Sequence, residues 1–183
     1  MLDAADTIVQ RDRSADLPIP EVGEMAGASR ALVYTYFPDR YRLLDALLDR
    51  HADLLEQAGL DQACRSGQFA ERAQAAALVY MRHIVMHGET IELVVREDAV
   101  VRELHSRLRQ ARQRAYRCLA RAARRDLSMR AREALALVLV LEAMPVEAAR
   151  KVRDGSLSTA EAEALLQRLM AAAVGSQAPN AQR

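Results

Sequence analysis

The sequence PEVGEMAGASRALVYTYFPDRYRLL, residues Pro20–Leu44, decides the fold. It predicts two short helices joined by a tight turn. Gly27 can adopt the left-handed conformation that ends a helix, and Ser29 is a strong N-cap for the helix that follows. Apolar residues recur at helical spacing on both sides of this turn: Val22, Met25 and Ala26 before it, and Leu32, Val33 and Tyr36 after it.

The second of these helices ends at Phe37-Pro38, because a residue that precedes proline is restricted to extended backbone. Phe37 itself is expected in the core of this small domain. Asp39 then caps a third, longer helix that begins around Arg40. Two short helices around a glycine turn are typical of the helix-turn-helix, whose second helix enters the major groove of DNA. Four of the seven aromatic side chains of the chain cluster here, at Tyr34, Tyr36, Phe37 and Tyr41.

Three motifs in this order and spacing resemble the DNA-binding domain of the TetR family of bacterial transcriptional regulators. They are Ala-Gly-Ala-Ser at 26–29, Tyr-Thr-Tyr-Phe-Pro-Asp-Arg at 34–40 and Leu-Leu at 43–44, within a match over about Leu2–Leu48. The resemblance implies an all-α protein with an N-terminal three-helix helix-turn-helix DNA-binding domain, residues 1–48. It also implies a C-terminal helical effector-binding and dimerisation domain, residues 49–175. Residues 176–183 are expected to be a disordered tail.

The sequence departs from the family pattern in four places. Gly23 stands where the family usually has Ala, which should loosen the first helix of the pair by about 0.5–1 kcal/mol. Arg40 stands where the family usually has Lys and keeps the positive charge. Residues 13–18 lack the glycine that commonly closes the first helix of the family. No basic arm precedes Leu2, so we expect either a start further upstream or a regulator without arm contacts.

The resemblance places six residues on the groove-facing side of the second helix: Ser29, Arg30, Ala31, Tyr34, Thr35 and Tyr36. Arg30 is the candidate for reading a base, because arginine can bind guanine O6 and N7 with both arms of its guanidinium. Thr35 is expected at a thymine methyl group or a phosphate. Tyr34, Tyr36 and Arg40 are expected to hold phosphates, which sets the register on DNA rather than the sequence preference.

Composition limits the function classes. The chain has 183 residues, 51% of them apolar, and a formal net charge of +1. Residues 1–50 carry six arginines against seven aspartates and two glutamates, which argues against a non-specific coat on DNA. A sequence-specific domain needs only a few well-placed cations.

The cysteines and the apolar runs point to a cytoplasmic protein. Cys64 and Cys118 are far apart in sequence and predict neither a zinc site nor a disulfide framework. No signal peptide is recognisable, and the longest apolar run, Ala134–Leu141, is too short to span a bilayer. We therefore expect no membrane partner.

Periodicity and capping residues predict the remaining elements. Residues 60–68 are expected to form a loop, and Ser158 with Glu161 is a capping box that opens the last helix. Pro145 is expected to kink the helix that contains it. The predicted helices are Leu2–Arg11, Asp39–Ala58, Phe69–His87, Glu89–Arg96, Ala99–Arg125, Ser128–Arg153 and Ser158–Val174.

The run Ala134–Leu141 is apolar on all sides, so its helix should be buried on more than one face. It is either a central core helix or a helix shared between the core and a subunit interface. The second alternative suits the resemblance, because regulators of this family dimerise through a bundle of their last two long helices. We therefore expect a homodimer.

Two further patterns suggest chemistry. His83 and His87 lie four residues apart on a helix, which fits a metal site, a polar pocket lining or ordinary surface histidines. Residues Gly27–Ala31 are one residue short of a GxSxG nucleophile elbow and lack the preceding buried strand, so Ser29 is not expected to be catalytic. No P-loop, GxGxxG or HExxH is present. The sequence therefore predicts no enzyme, no metal and no cofactor.

Residues 102–125 include nine arginines and one acidic residue, Glu103. The arginines are at positions 102, 107, 109, 112, 114, 117, 121, 124 and 125. We expect them to be spread around their helix and mainly solvated. A second nucleic-acid surface, counter-charges for an anionic effector, and pairing with the acidic DNA-binding domain of another subunit remain alternatives.

The resemblance also implies a small-molecule effector that binds between the C-terminal helices and releases a repressor from a palindromic operator in double-stranded DNA. Candidate pocket walls are Tyr80, Met81, Ile84, Leu104, Leu108 and Tyr116. The competing hypothesis is a helical ligand-binding or scaffold protein with a degenerate DNA-binding domain, which the acidic balance favours.

Overall fold

The computed structural model describes residues 1–176, and every regular element in them is an α-helix, which confirms the all-α class. The expected tail, residues 176–183, lies outside the described residues except for Ser176. Within residues 1–176 the helices are α1 Leu2–Asp12, α2 Ile19–Met25, α3 Arg30–Tyr36, α4 Arg40–Gln57, α5 Leu60–Ala63, α6 Phe69–His87, α7 Thr90–Val95, α8 Asp98–Glu103, α9 Arg107–Asp126, α10 Ala131–Leu141, α11 Ala143–Arg153 and α12 Thr159–Gly175.

The helices group into two compact units. Unit 1 consists of residues 1–54 and 87–111, and unit 2 consists of residues 55–86 and the described residues from 112 onward. This division differs from the boundary at residue 48 that the sequence suggested, because residues 87–111 group with the N-terminal helices. Carboxylates of α4 hold that segment: Asp45 accepts a hydrogen bond from the backbone N–H of His105 at 2.8 Å, and Asp49 accepts one from the N–H of Arg107.

Unit 1 has an apolar core. Helix α1 packs against α2 and α7, and α2 packs against α3. The αL conformation that closes α1 is taken by Arg13, at φ 51°. The buried side chains of this core include Ala5, Ile8, Val9, Leu17, Val22, Val33, Leu43, Leu44, Leu47, Leu48, Ile91 and Val94.

A polar cluster joins α1, α4 and α7 within this core. Asp6 accepts hydrogen bonds from the hydroxyl of Thr90 and, at 3.1 Å, from the amide of Gln10. Its other oxygen pairs with Arg50 at 3.0 Å, and His51, which is buried, lies 3.6 Å away. Burial raises the pKa of the Asp6 carboxyl, but the nearby His51 and the hydrogen bond from Thr90 lower it by more, so the net pKa lies below the usual value. The cluster therefore holds a charged carboxylate inside unit 1.

The prediction of one long helix over Ala99–Arg125 is wrong, because this segment forms two helices, α8 and α9. Leu104 has extended backbone, and α9 begins only at Arg107. The first N–H of α9 is bound by Asp49, a residue 58 positions earlier in the chain. Carboxylates at a helix N-terminus satisfy donors that the helix itself leaves without partners. Because this support is long-range, the local pattern did not reveal the break.

The helix predicted at Ser128–Arg153 is also broken. Ser128 lies in the turn before it at φ 55°, and Arg130 is the N-cap of α10. The break falls at Glu142, three residues before Pro145. Proline clashes with the carbonyl four residues earlier, here that of Leu141, so the helix divides upstream of Pro145 rather than at it.

Unit 2 packs α10 against α11 and α11 against α12. Helix α6 has the predicted bounds, and the capping box of α12 is confirmed, with Ser158 Oγ accepting from the N–H of Glu161 at 3.3 Å. Part of the predicted loop 60–68 forms the short helix α5. Among the described residues, no helix has the length and apolarity that a bilayer crossing requires. Buried side chains of this unit include Phe69, Ala73, Met81, Ile84, Ala134, Val138, Val146, Ala149, Leu166 and Met170.

Candidate nucleic-acid interface

Helices α2 and α3 form a helix-turn-helix around Gly27. Gly27 has φ 64°, a conformation that side chains rarely adopt, and no atom lies near its missing Cβ. Glycine is therefore needed here for the backbone and not for space. The N–H of Ala28 donates to the carbonyl of Gly23 at 2.9 Å and closes α2.

Gly23 has a packing role that the sequence did not show. A Cβ at this position would lie 3.1 Å from the carbonyl oxygen of Ala28 and 3.2 Å from Cγ2 of Val33. These distances are tighter than ordinary van der Waals contact. Glycine thus avoids the close contacts with the turn and with α3 that the Cβ of an alanine would make.

Ser29 begins α3 as predicted. Its Oγ accepts a hydrogen bond from the N–H of Leu32 at 3.2 Å, the geometry of an N-cap. The side chain that resembled a hydrolase nucleophile is therefore used as a cap.

One side of α3 is open to solvent. Val33 is the buried residue of the helix, whereas the ring of Tyr36 is 64% exposed. Leu32, which belongs to the apolar stripe noted in the sequence, is 44% exposed. Met25 of α2 is exposed to the same degree. All six residues expected on the groove-facing side are exposed: Ser29, Arg30, Ala31, Tyr34, Thr35 and Tyr36.

Arg30 is the cation of this surface that lacks an acidic partner. Its guanidinium carbon lies 5.5 Å from the centre of the Tyr34 ring, a cation–π contact. No carboxylate among residues 1–176 pairs with it. Thr35 is different, because its hydroxyl donates to the carbonyl of Ala31 at 2.9 Å and leaves its methyl group free for apolar contact. The arginine is thus held on the helix surface while its donors stay available.

Arg40, at the start of α4, is engaged. It pairs with Asp16 and donates to the hydroxyl of Tyr41 at 3.3 Å. Asp16 is itself 80% exposed, so this ion pair is solvated and weak. Phe37 is half-buried, and Asp39 caps α4 by accepting from the N–H of Arg42 at 2.9 Å.

The expected effector residues fall in both units. Tyr80, Met81, Ile84 and Tyr116 belong to unit 2, whereas Leu104 and Leu108 belong to unit 1. Tyr116 is half-buried and the other five are buried.

The structure adds a polar cluster around Tyr116 that the sequence analysis missed. The Tyr116 hydroxyl donates to Glu142, and Arg112 donates to the same Glu142 oxygen at 2.8 Å. Arg112 also donates to the Tyr116 oxygen at 3.0 Å. Burial lowers the pKa of Arg112, but the nearby Tyr80, Glu142 and Tyr116 outweigh it and raise the pKa. Glu142 lies 26 positions from Tyr116 and 30 from Arg112, so no short sequence pattern indicates the cluster.

The surroundings of His83 bear on the metal-site alternative. His83 is buried and its ring is stacked on that of Tyr80, with centroids 6.5 Å apart. In the described part of the chain, no group of three or more His, Cys, Asp or Glu side chains is placed to hold a metal ion.

The arginines of α9 are not spread evenly, which corrects our expectation. Arg107 pairs with Asp49 and Asp53, and Arg112 pairs with Glu142. Five others, all exposed, fall within an arc of about 100° at 3.6 residues per turn. They are Arg114, Arg117, Arg121, Arg124 and Arg125.

Comparison with solved structures identifies the fold. A protein assigned to the TetR family of transcriptional regulators, from Rhodococcus sp., matches with a TM-score of 0.72 and 18% identity over 94% of this chain and 96% of its own. A TetR-like transcriptional regulator from Rhodococcus sp. RHA1 matches with a TM-score of 0.69 and 19% identity over 92% and 90%. A TetR variant from Acinetobacter baumannii AYE, in complex with minocycline, matches with a TM-score of 0.57 and 13% identity over 96% and 92%.

No protein-family model and no curated protein matches the sequence. At these identities the comparison establishes the fold, and the chain has the fold of TetR-like regulators over more than 90% of its length. The similarity predicted from residues 2–48 is therefore confirmed as a fold and extends well beyond them.

Proposed function

We propose that this protein is a sequence-specific DNA-binding transcriptional regulator of the TetR type. The observation that carries the proposal is the exposed side of α3, which follows a glycine turn and presents the unpaired guanidinium of Arg30. A helix in this position of a helix-turn-helix enters the major groove with its N-terminal residues at the bases. Arg30 is the first residue of α3 and is therefore well placed for a guanine.

The other exposed residues of α3 divide into two roles. Ser29, Ala31 and Thr35 face the bases, with the Thr35 methyl group available for a thymine methyl. Tyr34 and Tyr36 donate to phosphates. Arg40 also binds a phosphate, in place of Asp16. The loss of the Asp16 ion pair costs little free energy, because that pair is solvated.

We propose that the regulator is a homodimer formed through the last long helices. Large apolar side chains on the outer faces of α10 and α12 are exposed in the single chain, at Leu135, Leu139, Val140 and Leu169. Val140 is 65% exposed, which is unusual for a residue in an apolar helix. A two-fold dimer covers such a face with its own copy and presents two recognition helices to a palindromic operator.

A small-molecule effector is part of the proposal. The A. baumannii TetR structure contains minocycline, so the fold can hold such a ligand. In this chain the proposed pocket walls are Tyr80, Met81, Ile84 and Tyr116, with the paired Arg112 and Glu142 as polar anchors. The effector releases a repressor by favouring a state in which the two recognition helices no longer fit successive major grooves, about 34 Å apart. This regulator would act in the cytoplasm, where its DNA is.

Two observations support a second candidate, a ligand-binding protein whose DNA-binding domain no longer works. Acidic residues outnumber basic ones in residues 1–50, and one of the expected phosphate contacts, Arg40, pairs with Asp16. Such a protein binds duplex DNA no better than any weakly charged surface does.

A salt titration separates the two candidates. Binding of the purified protein to fluorescent duplexes is followed by anisotropy, with random duplex DNA as competitor. The regulator retains a preferred duplex in excess competitor, and its log affinity falls steeply and linearly with log salt, because each neutralised phosphate releases counter-ions. The alternative protein shows no preferred duplex at any salt concentration.

A further inference from the structure

Unit 2 has an open surface pocket where α9 ends. Its volume is about 380 Å³, and its lining consists of Arg121, Arg124, Arg125, Ser128 and Met129. The three arginines lie three and four residues apart, so they share one face of the helix. Neither the proposed DNA contacts nor the proposed effector pocket uses these residues.

The three arginines of the pocket are not equivalent. Arg125 makes a two-armed ion pair with Asp126, at 2.6 and 3.1 Å. Asp126 also accepts from the backbone N–H of Phe69 at 2.7 Å, so this pair supports the start of α6. In contrast, Arg121 and Arg124 are exposed, and no acidic partner is found for them among residues 1–176. The structural role of Arg125 therefore leaves two guanidinium groups for a ligand.

Helix electrostatics does not account for this cluster. Cations in the last turn of a helix are favourable beside its negative end, which explains Arg124. Arg121 lies more than one turn before Asp126, and the same face carries Arg114 and Arg117 farther upstream. Like charges at this spacing destabilise a helix. An anion bound between them would offset that repulsion.

We propose that the pocket binds the phosphate group of a small organic ligand, held by Arg121 and Arg124. The planar guanidinium fork matches phosphate oxygens with two parallel hydrogen bonds. The hydroxyl of Ser128 supplies a further donor, and Ser128 is held in the lining by an unusual positive φ of 55°. Met129 provides an apolar wall for the organic part. An open pocket of this volume can hold the phosphate end of a small ligand.

Titration calorimetry with inorganic pyrophosphate at low ionic strength tests the proposal, and no DNA is needed. Wild-type protein is compared with the double variant Arg121→Gln/Arg124→Gln. The matched control is Arg102→Gln/Arg109→Gln, which removes the same charge from exposed positions outside the pocket. We expect saturable binding at one site, a Kd raised at least tenfold in the pocket variant, and a change of less than twofold in the control.

Equal weakening in both double variants would show diffuse attraction to a basic protein and overturn the proposal. So would the lack of a saturable isotherm for the wild type. Circular dichroism and thermal unfolding establish that the variants are folded. The single variants Arg121→Gln and Arg121→Lys extend the test: both should weaken binding about threefold or more, because lysine keeps the charge but not the fork.

Discussion

Two polar regions of unit 1 differ in how their charges are satisfied. Around Asp6, carboxylate, guanidinium, imidazole and hydroxyl groups from α1, α4 and α7 satisfy one another inside the unit. On α3, Arg30 is exposed and stacks on Tyr34 with no acidic partner in the described chain. Groups that are paired and buried stabilise a fold, whereas exposed and unpaired ones remain available for binding. We therefore expect substitutions in the first region to change stability and substitutions in the second to change DNA binding.

The largest effect is expected from Asp6→Ala. It removes the acceptor of Thr90 and Gln10 and leaves Arg50 and His51 without their shared carboxylate. The free energy of unfolding should fall by about 3 kcal/mol, the low end for removing one partner of a buried ion pair, since Asp6 is not fully buried. Urea denaturation measures it. In the control Asp12→Asn, at an exposed carboxylate of the same helix, the change should stay within about 0.5 kcal/mol.

Arg30→Ala tests the other region. Specific DNA binding should weaken by about 1–3 kcal/mol, and discrimination at one base position should relax, while the unfolding free energy stays the same. Anisotropy titrations with a preferred duplex and its single-base variants provide the measurement. Arg109→Ala, at an exposed arginine outside α3, is the matched control. An unchanged affinity in Arg30→Ala would show that this residue reads no base.

Ser29→Ala should change both the free energy of unfolding and the affinity for DNA, because Ser29 caps the helix that carries Arg30. Loss of the cap should lower the unfolding free energy by about 1 kcal/mol. Ser29→Asp restores a capping oxygen and should recover that stability, yet it adds negative charge beside DNA and should still bind the duplex poorly. If the aspartate variant were no more stable than the alanine variant, the hydrogen bond to Leu32 would not be the source of the stability.

The smallest effect is a pH dependence from His87. Burial lowers the pKa of His87, and the neighbouring His51 lowers it further. The unfolded chain then binds the proton more readily than the folded one, so stability should fall as the pH drops below about 6.5. Thermal unfolding of wild type and His87→Gln at about pH 8 and pH 5.5 measures it, and the variant should lose less stability on acidification.

Asp6 affects the pH dependence of stability in a lower pH range than His87 does. Its pKa in the folded state lies below the ordinary value of 3.8, so its stabilisation is complete above that value and is lost as the pH falls through the lowered pKa. His87 and Asp6 therefore affect stability in separate pH ranges.

A loss of stability between pH 8 and 5.5 that was the same in His87→Gln as in the wild type would exclude His87 as its cause.

Local signals were sufficient to predict the elements that local chemistry determines. The turn at Gly27, the N-cap at Ser29, the full length of α6 and the capping box of Ser158 and Glu161 each depend on residues within a few positions of one another. Elements of this kind can therefore be predicted from a few neighbouring residues.

The features that the sequence did not predict depend on distant partners. The start of α9 at Arg107 requires Asp49, and the cluster around Tyr116 requires Glu142. The contact that makes Gly23 suitable comes from the carbonyl of Ala28 and the side chain of Val33 after the helix has folded back. For the interface, the exposed residues of α3 were predicted, but the pairing of Arg40 with Asp16 was not, because it joins α4 to the segment before α2.

The central claim is sequence-specific DNA binding through α3. Selection of bound sequences from random duplex DNA, with purified folded protein, tests it most directly. We expect enrichment of one palindromic site whose half-sites are separated by about one helical turn or a multiple of it, as a two-fold dimer requires. The same selection with Arg30→Ala should lose preference at one position of each half-site. No enrichment by folded wild-type protein would contradict the account and favour the ligand-binding alternative.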